Sequence, residues 1–93
     1  MRPPARSPRY VSRPVRPRLA NLHIDARGLL CPLPIIELAR AAVTAHAGDE
    51  LTVECTDIAA RADVPAWARM TGNEFVGERE TDGGAFALTV RLR

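Results

Sequence analysis

The stretch Asp25-Ala26-Arg27-Gly28-Leu29-Leu30-Cys31-Pro32-Leu33-Pro34 decides how this chain of 93 residues is read. It sets a cysteine between a short loop and two prolines one residue apart. Proline fixes φ at about −65° and has no N–H, so a helix accepts it only in the first turn. Apolar residues then recur at helical spacing, at Ile35, Leu38, Ala39, Ala42 and Val43. The pattern predicts a helix from Pro32 to about Ala47, with Cys31 at its N-cap and Gly48 as its stop. A thiol at that end feels the positive pole of the helix, which favours the reactive thiolate.

Working outward, Asn21–Asp25 alternates, with Leu22 and Ile24 apolar, and is expected as a strand. Gly28 lies in the loop, where a residue without a Cβ can take backbone angles that others avoid. Glu50–Cys55 alternates again, with Leu51, Val53 and Cys55 on one face. Thr56 and Asp57 then turn into a second helix, roughly Ile58 to Met70, which is expected to begin near Val64 or to kink at Pro65. Glu74–Glu80 and Phe86–Arg93 flank Asp82-Gly83-Gly84, a hairpin turn signal. The order β-α-β-α-β-β implies one parallel pair, one antiparallel hairpin and hence a mixed four-stranded sheet. With both helices on one face, the fold class is α/β, an α+β two-layer sandwich whose other face is open.

Composition sets limits on function. The chain has no apolar run near the roughly 18 residues of a membrane helix and no apolar segment behind its basic start that would make a secretory signal. A cytoplasmic protein with reduced thiols is therefore expected. Cys31, Cys55, His23 and His46 do not show metal-ligand spacing, so no metal is expected. Residues 1–18 carry six arginines, five prolines and no acid. They form an expected disordered arm, separate from a domain over residues 19–93. That domain holds seven arginines against eleven acids, a formal charge of −4. Clustered arginine suits RNA phosphate or an acidic partner, but the acidic domain argues against direct nucleic-acid binding. A plain tail or a mis-assigned start codon is the simpler account of the arm.

The residues resemble the TusA family of small sulfur carriers, also called SirA-like. The likeness rests on Asp25-x-x-Gly28-x-x-Cys31-Pro32-x-Pro34, and continues through Gly48-Asp49-Glu50-Leu51, Thr56-Asp57, Asp63-Val64-Pro65-Ala66-Trp67 and Gly72-Asn73-Glu74. It covers about residues 20–93. It implies that Cys31 accepts sulfane sulfur as a persulfide and passes it on, with no organic cofactor because the cargo rides on the side chain. It also implies a cysteine desulfurase or rhodanese-like donor and a downstream acceptor protein, in tRNA thiolation, molybdenum-cofactor assembly or sulfur oxidation. Two departures stand out: Asn73, where members often have histidine, and the arginine arm.

Around Cys31 the expected supporting residues are Arg27, Gly28, Pro32, Pro34 and Asp25. Arg27 would fold back to raise the thiolate fraction, and only Leu33 in the first turn keeps an N–H to offer the sulfur. The prolines stiffen the junction and hold the sulfur outward. Asp25 and Asp57 are expected to cap turns, with a proton shuttle as the second reading of Asp25. Cys55 is expected in the core, with a resolving thiol as its alternative; Trp67 and Met70 are expected in the core as well. His23 belongs on the open face, and His46 near the end of the first helix. The alternative to a carrier is a non-catalytic interaction module that uses the open sheet face.

Overall fold

A computed structural model of the protein describes residues 20–93. The elements run β1 (Asn21–Ala26), α1 (Leu33–Thr44), β2 (Glu50–Cys55), α2 (Ala60–Met70), β3 (Glu74–Glu80) and β4 (Phe86–Arg91). The sheet order is β1-β2-β4-β3. β1 runs parallel to β2, β2 antiparallel to β4, and β4 antiparallel to β3. The expected mixed sheet with two helices is the observed fold. The arm expected over residues 1–18 lies outside the described residues.

Burial explains the two layers. Leu51, Val53 and Cys55 of β2, and Phe86, Leu88 and Val90 of β4, form one buried cluster with Leu38 of α1 and Ala60, Val64 and Ala68 of α2. Alternate residues turn to the other face, where Thr52 and Thr89 share a 2.9 Å hydrogen bond. On that face Arg91 pairs with Glu50 at 2.7 Å and with Glu74 at 3.2 Å. His23 sits there too, its Nε2 3.3 Å from Glu54. The open face is thus a network of hydroxyls and paired charges rather than an apolar surface.

Several boundaries differ from expectation, each for a local reason. Pro32, not Cys31, is the N-cap of α1, and only Pro34 lies within the helix. The buried stripe of α1 is Pro34 and Leu38, with Ile35, Ala41, Ala42 and Ala45 beside it. Val43 is five residues beyond Leu38, about 140° round the helix, and is 83% exposed. α1 ends at Thr44 rather than Ala47 because Asp49 captures the following chain. Its buried carboxylate accepts the N–H groups of Ala20 (3.0 Å) and His46 (2.9 Å), tying the end of α1 to the start of β1. His46 therefore sits in that turn, beyond the helix.

α2 starts at Ala60 and continues unbroken across Pro65. Proline there removes the N–H that would bond to the Arg61 carbonyl. Burial of Ala60, Val64 and Ala68, spaced four apart on the core side, holds the helix across that gap. The β3–β4 turn places Gly83 and Gly84 at φ 66° and 83°, consecutive left-handed angles that favour glycine. β4 ends at Arg91, two residues short of expectation.

Candidate functional site at Cys31

β1 and β2 are parallel, so the segments leaving their carboxyl ends meet on one edge of the sheet. The first is the loop 27–32 that carries Cys31; the second is Thr56–Ala59, which leads into α2. Side chains from the second segment fix the first. Gly28, at φ 83°, donates its N–H to Thr56 Oγ1 at 2.8 Å. The Cys31 N–H goes to Asp57 Oδ2 at 2.8 Å, while Asp57 Oδ1 takes the Ala59 N–H at 3.0 Å. Asp57 thus caps its own turn, as expected, and also clamps the cysteine loop. Those two N–H groups hold its carboxyl below the ordinary value.

Cys31 is exposed. Its Sγ donates to Asp63 Oδ2 at 3.0 Å, across 32 residues of sequence. The Asp63 hydrogen bond, then burial, then the charges of Asp63 and Asp57, push the thiol pKa up. This reverses the expectation that the helix pole would favour thiolate. A helix end adds only about 0.3–1 kcal/mol, and a carboxylate in direct contact with the sulfur opposes it. The Asp63 contact therefore disfavours the thiolate at Cys31.

Two further expectations change. Arg27 does not reach the sulfur, because Asp25 holds it with both oxygens, at 2.9 Å to Nε and 2.9 Å to Nη2. That pairing drives the Asp25 carboxyl far below the usual range and raises Arg27. Asp25 also accepts the Arg27 N–H at 3.1 Å, so it forms the expected turn cap. The Leu33 N–H bonds to the Leu30 carbonyl at 2.8 Å and is not offered to the sulfur. Pro32 and Pro34 flank it, the Cys31–Pro32 peptide being cis.

Cys31, Pro32, Ile35, Asp63, Ala66, Trp67 and Met70 line a shallow groove of about 300 Å³. Trp67 combines its core role with this wall, whereas Met70, expected in the core, is 83% exposed at the rim. Leu30 and Ile58 are also exposed. Cys55 is buried at the end of β2, and burial pushes its thiol up to about 11. Neither cysteine is in a disulfide. Among the described residues no group of histidine, cysteine or acid could hold a metal, and no helix is long and apolar enough to cross a membrane.

Asp63 and Asp49 are the polar residues whose roles the sequence did not signal. Asn73, the departure from the resembled pattern, closes the turn after α2. Its Oδ1 accepts the Arg93 N–H at 3.0 Å, and its own N–H reaches the Ala68 carbonyl at 2.8 Å.

Residues 23–92 match the family model described as Sulfurtransferase TusA. The sulfur carrier protein TusA of Allochromatium vinosum is 37% identical over 68 residues, which cover 73% of this chain and 88% of that protein. The Bacillus subtilis protein YrkF is 40% identical over 58 residues, but the match spans only 31% of its length. A crystal structure of a SirA-like protein from Desulfitobacterium hafniense superposes with a TM-score of 0.67 at 30% identity, covering 75% of this chain and 95% of that one. With its sheet order, its Cys-Pro-Leu-Pro junction and this extended match, the chain belongs to the TusA family of sulfur carriers.

Proposed function

We propose that the protein relays sulfane sulfur, carrying it as a persulfide on Cys31 between a donor protein and an acceptor protein. The observation that carries this reading is the exposed Cys31 thiol, fixed through its backbone by Asp57 and hydrogen-bonded to Asp63 at 3.0 Å. A carrier sulfur must be reachable by two partners in turn, attack one and be attacked by the other. Loading is an exchange. The Cys31 sulfur attacks the terminal sulfur of a donor persulfide, a new S–S bond forms, and the donor's own S–S bond breaks with its electron pair staying on the donor. The proton leaving Cys31 ends on the departing thiolate, and no net oxidation occurs. Delivery repeats the exchange, with the acceptor's thiolate attacking the carried sulfur.

A cysteine desulfurase or a rhodanese-like protein is the donor class that fits, and tRNA thiolation, molybdenum-cofactor assembly or sulfur oxidation are the destinations. The setting is the cytoplasm, and the sulfur is the only group carried. The mass of the reduced protein after mixing with a desulfurase and cysteine tests the reading. The expected gain is about 32 Da, one sulfur, reversed by dithiothreitol. It should be present in wild type and Cys55→Ser and absent from Cys31→Ser. No gain in wild type, or an equal gain in Cys31→Ser, would remove Cys31 as the carrier.

A further inference from the structure

Two carboxylates stand at Cys31, and neither has a cation against it among the described residues. Asp63 Oδ2 is 3.0 Å from the sulfur, and Asp57 Oδ2 is 2.8 Å from the Cys31 nitrogen. The nearby arginines are committed elsewhere. Arg27 is held two-pronged by Asp25; Arg61 pairs with Glu78 at 2.7 Å and lies 4.4 Å from the centre of the Phe86 ring. The rest of the groove, Pro32, Ile35, Ala66, Trp67 and Met70, is uncharged. The field at the sulfur is therefore set by two negative groups on an exposed surface.

We propose that Asp63, with Asp57 behind it, determines which sulfur donors Cys31 accepts: it disfavours small anionic donors and favours a protein donor that presents a cation beside its sulfane sulfur. Polysulfide, thiosulfate and the persulfides of acidic small thiols are anions, and like charge at contact distance slows their approach. A lysine, arginine or protonated histidine beside a donor's persulfide meets Asp63, takes over its oxygen and releases the thiol from its hydrogen bond. The exchange then proceeds as above, with one S–S bond formed, one broken and the Cys31 proton leaving on the donor's sulfur. The selection thus discriminates in favour of partner proteins, which a carrier needs if its cargo is not to be scrambled among free sulfur species. It rests on the carrier reading of Cys31 and specifies its donor.

The test uses three disulfide reagents of different charge: dianionic 5,5′-dithiobis(2-nitrobenzoate), neutral 2,2′-dithiodipyridine and dicationic cystamine. Their rates with the full chain, followed across pH, give the reactivity of the thiolate itself, separated from the acidity of the thiol. Between wild type and Asp63→Asn, the cationic-to-anionic rate ratio should fall roughly three- to ten-fold. In wild type alone it should also fall when salt rises to about 0.5 M. Asp63→Glu, which keeps the charge, should keep a ratio nearer wild type. A ratio unmoved by Asp63→Asn and by salt overturns the proposal, as does Asp63→Glu behaving like Asp63→Asn. The salt comparison needs no variant, so it stands even if a substitution disturbs α2. Because these reagents form mixed disulfides and need no persulfide, a failed selector and a failed carrier give different results.

Discussion

At the scale of single residues, the chemistry turns on one hydrogen bond. Asp63 holds the Cys31 proton, so the thiol titrates above its ordinary value and its reactivity keeps rising with pH into the alkaline range. Removing the carboxylate removes the first cause of that shift. In Asp63→Asn the pH profile of Cys31 alkylation by iodoacetamide should therefore move to lower pH; an unmoved profile would contradict the assignment. The Cys-Pro-Leu-Pro junction was legible in the sequence because its meaning is local: two prolines and one apolar period place a cysteine at a helix start. Asp63 was not, since its partner is 32 residues away and only the parallel pairing of β1 with β2 brings α2 beside that cysteine. The misplacement of Arg27 has the opposite cause. Asp25, two residues before it, captures the guanidinium locally before it can reach the sulfur.

At the scale of elements, two aspartates join segments that the hydropathy pattern treats separately. Asp49 is buried and holds the N–H groups of Ala20 and His46. Asp49→Ala would take the acceptor from both part-buried donors, and urea unfolding should show a loss of about 1–3 kcal/mol. Asp57 works in the open, between the cysteine loop and α2, with its folded-state pKa lowered by the N–H groups of Cys31 and Ala59. Its contribution is therefore full above the ordinary carboxylate value and fades as pH falls through the folded-state value. The melting-temperature gap between wild type and Asp57→Asn should be widest near neutrality and narrow in acid. A gap constant with pH would mean that the charge plays no part. Alternation made the four strands legible, whereas helix ends were not, because α1 is stopped by the Asp49 clamp and α2 crosses Pro65 on burial of Val64 and Ala68.

At the scale of the whole molecule, one small core joins two helices to a mixed sheet, and its layout follows from strand order and one-sided apolar patterning. Leu38 is the largest fully buried side chain that α1 places in that core. Leu38→Ala should cost about 2–5 kcal/mol in denaturant unfolding, from the lost burial plus the void left behind. The other face of the sheet pairs its charges internally, through Arg91 with Glu50 and Glu74 and His23 with Glu54. That pairing favours the Cys31 edge over the open face as the working surface. A relay requires that sulfur to carry sulfane sulfur, and the most direct measurement is cyanolysis of the loaded protein followed by accurate mass. Cyanide should release one thiocyanate per loaded chain and return the protein to its reduced mass. A gain of about 32 Da that survives cyanide, as the two oxygens of a sulfinic acid would, contradicts it.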